Sequence, residues 1–312
     1  MTTLVVAGSL NMDFVVAVDR LPAPGETVLG GDFRMIPGGK GANQACAAAK
    51  LGSGDTAVRM IGRVGYDVFG DHLKASLSAA GVDVRAVHAT RSEATGVALI
   101  SVEKSGQNSI VVAPGANHAL AAGEVEAMRP LFAGARLALF QLESPIDTVA
   151  AALRVAREAG ARTILDPAPA QPLPAELLAA VDILTPNENE ALLLLGRPPG
   201  RVELDQAAAL ARFLLDLGPR AVVLKLGDRG CYYRDSNTEL FSAAFSVPAR
   251  DTTAAGDVFN AAFAVALAED RSIAEALRFA NAAAAISVTR PGAQASVPSR
   301  SEVDQFLSGG SQ

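Results

Sequence analysis

Hydrophobic and polar positions follow two alternating patterns along this chain of 312 residues. Short runs rich in β-branched residues recur, and between them lie segments whose apolar residues repeat at helical spacing. The helical segments 144–160 and 205–218 each end in a glycine, a frequent residue just after a helix. This alternation predicts an α/β core with a mostly parallel central sheet that helices cover on both faces. The predicted strands are 4–8, 58–62, 136–143, 162–167, 181–187 and 221–227.

Two segments depart from this alternation, at 13–36 and 93–113. Their apolar and polar residues alternate as in antiparallel hairpins, and neither contains a plausible helix. We interpret them as parts of one small sheet beside a core formed by 1–12, 37–92 and 114–312. Because nothing in this chain would cover one face of such a sheet, we expect a lid or an oligomer interface. Two surface hairpins without such a role are the alternative.

Composition and charge narrow the function classes. Hydrophobic residues make up 50% of the chain, which predicts a sizeable core. The net charge of −6 argues against a general nucleic-acid or anionic-membrane surface, so an anionic substrate would have to be held by local groups. Cys46 and Cys231 alone can form neither a disulfide framework nor a zinc site. With no secretion signal and no apolar run of about 20 residues, the sequence predicts a cytoplasmic protein.

Several common site motifs are absent from the sequence. Gly39 and Lys40 form the only Gly-Lys pair, but Gly41 follows instead of the Ser or Thr of a phosphate-binding P-loop. The sequence has neither the G-x-G-x-x-G spacing of a dinucleotide fold nor the G-x-S-x-G elbow of a hydrolase. Its histidines have no metal-ligand spacing. A nucleotide site, if the chain has one, must follow another design.

The segment 251–263, DTTAAGDVFNAAF, places small residues around one acid and continues into an apolar helix. Ala254, Ala255 and Gly256 leave the backbone uncovered where that helix would begin. A helix start offers unpaired N–H groups and the positive end of the helix dipole, so this segment predicts an anion site. Asp257 would repel an anion unless it has a task of its own. A simple helix cap is the alternative for Asp257.

A second glycine-rich segment, 36–52, stands directly before an alanine-rich helix. Lys40 and Asn43 within it would supply hydrogen-bond donors to a small polar ligand. A tight turn before a core helix is the alternative. The glycines that would let the backbone approach such a ligand are Gly38, Gly39 and Gly41.

Polar residues also follow three of the predicted strands. Asn11 and Asp13 come just after the first strand, and Glu143 ends another. Asn187 and Glu190 lie three residues apart after a third strand and are suited to bind beside a hydrated divalent cation. Open α/β sheets bind ligands outside the carboxyl ends of their strands, so these clusters predict one site at one sheet edge. Loop and helix capping is the alternative for each cluster taken alone.

With these motifs the chain resembles the ribokinase-type carbohydrate kinase family along nearly its whole length. The resemblance rests on GSLNMD, PGGKGANQA, ATGVALI, LESP, DPAPA, TPNENEA, DTTAAGDVFNAAF and TRPGAQASVP. It implies a three-layer α/β/α core with a small β-sheet lid, and lids that pair in a homodimer. The implied reaction is ATP-dependent phosphorylation of D-ribose at its 5-hydroxyl, with Mg²⁺ and K⁺ as cofactors.

The resemblance also implies a role for each matching residue. Asp257 would be the catalytic base, and the amides of Ala254, Ala255 and Gly256 would form an anion hole. Ribose would be bound, beside Asp257, by Asn11, Asp13, Gly39, Lys40, Gly41, Ala42, Asn43 and Glu143. ATP would contact Gly256, Asn187, Asn281 and the loop of Lys225, Leu226, Gly227, Asp228, Arg229 and Gly230. Glu190 would organise Mg²⁺, and K⁺ would be surrounded, mostly by backbone carbonyls, at Asp251, Thr253, Ser287, Arg290, Gly292 and Ser296.

Three positions depart from the family pattern. Ala254 stands where the wider family usually has glycine, Lys225 where relatives often have Thr or Ser, and Asn281 where some relatives have His. A kinase for another sugar or nucleoside, such as 2-deoxyribose or fructose, is the first alternative function, and a non-catalytic sugar sensor is the second. The polar residues at the predicted sugar end favour a fully hydroxylated pentose, because a missing hydroxyl would leave buried polar groups unpaired.

Overall fold

The main sheet of the protein has nine strands within the residues that the computed structural model describes, 2–104 and 107–309. They are β1 (Thr2–Ala7), β4 (Thr56–Gly65), β5 (Val82–Thr90), β8 (Ala135–Phe140), β9 (Arg162–Leu165), β10 (Ile183–Leu184), β11 (Ala221–Lys225), β12 (Gly230–Asp235) and β13 (Glu239–Ala243). Their spatial order is β13-β12-β11-β10-β9-β8-β1-β4-β5. Neighbours from β11 to β5 pair in parallel, whereas β12 and β13 add an antiparallel edge. The mostly parallel sheet is therefore confirmed.

Helices cover both faces of this sheet. They are α1 (Lys40–Leu51), α2 (Val68–Ala79), α3 (Ala122–Ala127), α4 (Ile146–Glu158), α5 (Ala175–Leu178), α6 (Glu188–Leu194), α7 (Leu204–Leu215), α8 (Ala255–Ala268), α9 (Ile273–Val288) and α10 (Arg300–Gly309). Successive side chains of a strand point to opposite faces. Leu4 and Val6 of β1 accordingly belong to the core on the side of α1, α8 and α9, whereas Val5 and Ala7 belong to the core on the side of α4 and α7. This arrangement confirms the three-layer α/β/α core.

One predicted strand is much shorter in the structure than the segment that predicts it. The run 181–187 contains β10, which pairs only over Ile183–Leu184. Just before it, the Asp182 carboxylate accepts from the Thr163 N–H at 2.8 Å, and the Asp182 N–H donates to the Thr163 hydroxyl at 2.9 Å. Side-chain bonds therefore replace the ladder there, and Pro186 has no N–H with which to extend it.

A second sheet of four strands contains the two segments of alternating pattern. We call it the small sheet, formed by β2 (Asn11–Val18), β3 (Phe33–Gly38), β6 (Gly96–Glu103) and β7 (Asn108–Ala113). The pairs β2–β3 and β6–β7 are antiparallel, as the alternation predicts, and a parallel β2–β6 pair joins them. The division of the chain into core and lid ranges stays a prediction. Residues 1, 105–106 and 310–312 of those ranges lie outside the described part of the chain.

The small sheet approaches the main core near the carboxyl ends of the parallel strands. Phe14 of β2 meets Phe69 of α2 edge to face, with ring centroids 5.4 Å apart. Arg34 of β3 acts electrostatically on Asp251, just before α8. Within the described ranges, none of the helices is both long and apolar enough to cross a membrane.

Candidate active site

The carboxyl edge of the main sheet collects most of the predicted polar residues. Glu143 follows β8, Asp166 follows β9 and Lys225 ends β11. Helix α1 begins beside them, since the Lys40 N–H donates to Glu143 Oε2 at 3.1 Å. Helix α8 begins there too, because Asp257 in its first turn is hydrogen-bonded to side chains of α1.

Asp257 is a buried carboxylate, only 6% exposed. Its Oδ2 accepts from Asn43 Nδ2 and its Oδ1 from Gln44 Nε2, each at 3.0 Å. Burial raises the pKa of Asp257 to about 6, against the opposing effects of Lys40 and the two amide donors. The N-cap of α8 is Ala254, so the simple capping role for Asp257 is wrong. Each carboxylate oxygen retains a further lone pair with which to accept a proton.

The backbone at the start of α8 is half-buried over residues 254–256. Ala254 has a φ of 59°, a left-handed conformation that turns the chain into the helix. The Ala255 N–H donates to Thr252 O at 3.2 Å, so it is engaged in a turn. Gly256 follows in the first helical turn, where a helix supplies no acceptor for its N–H. A methyl group on Gly256 would lie 3.5 Å from Lys225 Nζ, which places a cation beside the helix start.

Lys225 forms a buried ion pair that the sequence did not predict. Its Nζ lies 2.9 Å from Asp166 Oδ1, and the two side chains are 13% and 4% exposed. Asp166 Oδ2 accepts from Gln44 Nε2 at 3.2 Å. Gln44 thus contacts both Asp166 and Asp257, while the ammonium group of Lys225 lies beside Asp166 and the start of α8. Asp166 ends a predicted strand, as Glu143 does, and that position was the available signal for it.

In the rest of the predicted nucleotide loop, Arg229 binds partners outside this cluster. Arg229 donates to Val202 O at 2.6 Å and to Glu188 Oε1 at 2.5 Å, so its guanidinium ties the loop to α6. The remaining residues of the loop are the exposed Gly227 and Asp228 and the buried Leu226 and Gly230.

Asn281 lies on α9 and is 6% exposed. Its Nδ2 donates to the Ser242 hydroxyl at 3.0 Å and to the carbonyls of Ser242 and Ala243 at 3.2 Å each. The amide group therefore ties α9 to β13. Its contact with a nucleotide stays a prediction.

The predicted sugar-binding residues converge on Glu143. Its Oε2 accepts from Ser9 Oγ at 2.5 Å, the Lys40 N–H at 3.1 Å and Asn11 Nδ2 at 3.4 Å. Asn117, which the sequence did not single out, donates to Asn11 Oδ1 at 2.7 Å and fixes that amide. Asn117 lies in a short 3-10 helix without a strand end or repeat to mark it, so the sequence carried no signal for it.

The ammonium group of Lys40 interacts electrostatically with four carboxylates. Burial opposes its charge, but the carboxylates of Asp257, Asp166, Glu143 and Glu190 together raise its pKa. The neighbouring backbone is packed closely. Gly39 has a φ of 88°, and a methyl group there would lie 2.6 Å from the backbone N of residue 11. The first turn of α1, with Gly41 and Ala42, packs on residues 8–9.

Asp13, on β2 of the small sheet, lies close enough to Glu143 and Asp257 of the main core to interact with them electrostatically. Burial, followed by repulsion from Glu143 and Asp257, raises its pKa to about 7. Its carboxylate lies against Gly38 of β3, where a methyl group would approach its Oδ2 to 2.1 Å. One strand residue is thus held partly protonated at neutral pH beside the base and the sugar end.

We expect Asp13→Asn to stabilise the protein at high pH. The folded chain keeps the Asp13 proton up to about pH 7, whereas the unfolded chain releases it near pH 4, so wild-type stability falls as pH rises between these values. Asparagine removes that loss, by about 2 kcal/mol at pH 8 once partial solvation is allowed for. Calorimetric unfolding at pH 5 and pH 8 measures this gain. A gain of the same size at both pH values would show that ionisation of Asp13 is not its source.

Asn187 and Glu190 form the helix cap that was the alternative reading of TPNENE. Asn187 Oδ1 accepts from the Glu190 N–H at 2.9 Å, and Glu190 Oε2 accepts from the Asn187 N–H at 2.7 Å. Burial raises the pKa of Glu190, while Lys225 acts in the opposite direction. The electrostatic effect of Lys225 and Asp166 on Glu190 places this cap next to the phosphate-side cluster.

The predicted K⁺ residues are only partly brought together. Asp251 accepts from the Gly292 N–H at 2.8 Å and from the Thr253 N–H at 2.9 Å. These bonds lower the pKa of Asp251 against the effect of its burial. The hydroxyls of Ser287 and Ser296 donate to backbone carbonyls of their own turns. Arg290 pairs instead with Glu302, at 2.5 Å.

Acidic and sulfur ligands do not gather into a metal centre in the part of the chain that is described. No group of three or more His, Cys, Asp or Glu residues there is placed to hold a metal ion. A cation bound at 251–256 or beside Glu190 would therefore depend on backbone carbonyls, water or bound phosphate for its remaining ligands.

Comparison with known proteins agrees with this geometry. The model of the pfkB family of carbohydrate kinases matches residues 1–300. Ribokinase of Haemophilus influenzae is 43% identical over 306 residues, 98% of each chain, and a deoxyribokinase of Salmonella typhimurium is 34% identical over 98% of each. The structure of Arabidopsis thaliana ribokinase complexed with ribose and ATP superposes with a TM-score of 0.88, at 36% identity, over 98% of this chain and 99% of that one. The chain belongs to the pfkB family of carbohydrate kinases.

Proposed function

We propose that this protein transfers the terminal phosphoryl group of ATP to the 5-hydroxyl of D-ribose. The observation that carries the proposal is the buried carboxylate of Asp257, which shares the Gln44 amide with Asp166 and acts on the same Lys40 ammonium as Glu143. The relatives named ribokinase and the neighbour complexed with ribose and ATP support the same assignment.

The geometry suits phosphoryl transfer, which needs alignment and charge stabilisation more than covalent help. Glu143 and Asn11 offer hydrogen bonds to sugar hydroxyls, and Lys40 stands next to them. Asp257 accepts the proton of the attacking hydroxyl, since its pKa of about 6 leaves it ionised at neutral pH. The helix start at Gly256, with Lys225 beside it, supplies fixed positive potential for the migrating phosphate.

Two cations complete the proposed site. Mg²⁺ would neutralise charge on the ATP phosphates, and Glu190 with water would hold it on the phosphate side. K⁺ would be held by backbone carbonyls of the 251–256 loop and of the turn at 287–296, which the Asp251–Gly292 bond joins. In this arrangement the cation shapes the loop that precedes α8.

The alternative acceptor is 2-deoxyribose, because one relative of similar coverage is named deoxyribokinase. Polar groups placed for a missing hydroxyl would lose their partner, so we expect ribose to have a kcat/KM about tenfold or more above that of 2-deoxyribose. A coupled ADP-release assay with ribose, 2-deoxyribose, fructose and adenosine tests the proposal. Run in K⁺ and in Na⁺ salts, it also tests the monovalent site, for which we expect faster turnover in K⁺. Ribose-independent ADP release alone would contradict the proposal.

We also propose that the small sheet is a lid through which two copies pair. Among the described residues, more than half of the exposed large hydrophobic ones lie in or beside it, and every residue of its edge strand β7 is exposed. A continuous exposed apolar face of this kind marks an interaction surface. Leu99 and Val111, 54% and 63% exposed, are cross-strand partners near its centre.

We expect Val111→Lys to convert a dimer into a monomer, because a buried unpaired ammonium would be strongly unfavourable at that face. Light scattering coupled to size exclusion gives the mass. Leu204→Lys is the matched control, since Leu204 is 49% exposed on α7, outside the small sheet, and should leave the dimer intact. A wild-type protein that stays monomeric at micromolar concentration would contradict the proposed interface.

A further inference from the structure

Gln44 makes an unusual set of contacts for a side chain buried within a helix pair. It lies on α1 and is fully buried. Its single amide nitrogen donates to Asp257 Oδ1 at 3.0 Å and to Asp166 Oδ2 at 3.2 Å. The two N–H bonds of one amide group are therefore divided between two carboxylates.

Gln141 fixes the orientation of this amide. Gln141 Nε2 donates to Gln44 Oε1 at 2.6 Å. If the Gln44 amide turned over, its carbonyl oxygen would face two carboxylates and its NH₂ group would face another NH₂ group. Three hydrogen bonds would be lost at once, so only one orientation of Gln44 is compatible with its neighbours.

The structure keeps this orientation at a cost elsewhere. The Oε1 atom of Gln141 is buried and has no hydrogen-bond partner in the described part of the chain. An unpaired buried acceptor is destabilising, because it has lost its hydrogen bonds to water. Gly8 makes room for that atom, since a methyl group at Gly8 would lie 2.0 Å from it. Gln141 is thus held with its NH₂ group toward Gln44 although its own oxygen stays unpaired.

The charges around Asp257 explain what this donor does. Lys40 of α1 favours the ionised carboxylate, whereas Asp166 beyond β9 and Asp13 of β2 disfavour it. Lys225 pairs with the other oxygen of Asp166, Oδ1. A neutral donor between Asp257 and Asp166 binds both without adding charge and keeps the two carboxylates apart.

On the basis of the proposed function, we infer that Gln44 is a positioning residue for the catalytic base. Its amide, oriented by Gln141, fixes Asp257 Oδ1 and Asp166 Oδ2, so that the free lone pairs of Asp257 are directed at the sugar hydroxyl. No bond of the substrate is made or broken by Gln44 itself.

The variant Gln44→Met tests this inference, because methionine fills similar volume but donates no hydrogen bond. We expect the acid limb of the kcat/KM profile to move about one pH unit upward, a loss of about fivefold at pH 6 that is largely recovered at pH 8.5. Gln141→Met should move the limb in the same direction by less, since Gln44 keeps its donors but loses its orientation. Thr148→Val is the control. Thr148 lies on α4, and its buried hydroxyl donates to Leu120 O at 2.7 Å. The variant removes this bond, and its pH profile should match that of the wild type.

A second readout does not depend on turnover. The carboxyl carbon of Asp257, assigned in ¹³C spectra by its absence from Asp257→Asn, should titrate at higher pH in Gln44→Met than in wild type. An unchanged titration, or an activity loss of equal size at every pH, would overturn the inference. If Gln44→Met does not fold, Gln141→Met decides by the same measurement. A wild-type protein without sugar kinase activity would remove the proposed function, while the titration would still decide the role of Gln44.

Discussion

Asp257→Asn should lower kcat on the order of 10²–10⁴-fold, the range for loss of a general base, while ribose affinity stays near its wild-type value. The asparagine amide can accept a hydrogen bond from Asn43 or Gln44 but cannot take up the hydroxyl proton. The variant loses one of the hydrogen bonds that the Asp257 carboxylate accepts from Asn43 and Gln44. The neutral amide has the same shape and costs less to bury at a site that is 6% exposed, so the fold should be kept.

Steady-state ADP release and calorimetric ribose binding measure the two halves of this prediction. Asp71→Asn serves as control, since Asp71 is exposed in the first turn of α2 and should keep full activity. The wild-type rate should also fall below about pH 6, where the buried Asp257 takes up a proton and no longer acts as a base. Near-normal turnover in Asp257→Asn would exclude it from that role.

The fold could be predicted because hydrophobic periodicity reports burial directly. Short runs rich in β-branched residues predicted the parallel strands, and apolar residues at helical spacing predicted α4 and α7. The small sheet followed from alternation at 13–36 and 93–113. The length of β10 could not be predicted, because there the chain replaces ladder bonds with the side chains of Asp182 and Thr163, and no periodic signal distinguishes the two.

The site was predictable where a polar residue follows a strand or opens a helix. Asp257 and Glu143 stand at such positions. Gln44 and Asn117 do not, since each acts by orienting another side chain, and such contacts arise only when distant segments meet. Gln44 is 213 positions away from Asp257, and nothing local in the sequence marks the pair.

Residue type alone does not decide which cation of the predicted nucleotide loop lies at the start of α8. Arg229 is the stronger phosphate ligand by chemistry, but its guanidinium is engaged by Glu188 and Val202. Lys225, where relatives often have Thr or Ser, places its ammonium group at the helix start instead. The partner of each cation, Glu188 or Asp166, decides where that cation lies, and those partners are remote in sequence.

Gly41→Ala should be a severely damaging single-methyl substitution in the sugar-binding segment. Its added Cβ would lie 2.6 Å from the carbonyl carbon of Gly8 and 2.6 Å from the N of Ser9, which are backbone atoms that no rotamer change can move aside. The start of α1 would have to shift away from β1, and Lys40, whose N–H binds Glu143, would shift with it.

We expect Gly41→Ala to lose about 3 kcal/mol of unfolding free energy, and the folded fraction to lose about 10²-fold in kcat/KM, because displacement of a positioned group by about 1 Å has that effect. Denaturant unfolding and ribose kinetics measure the two losses. Gly123→Ala is the matched control, since the added Cβ on α3 would have no neighbour within 4 Å and alanine favours the helix. Equal stability of the two variants would mean that α1 can move without disturbing β1. The glycine would then serve only the ligand, and the loss should appear in ribose kinetics alone.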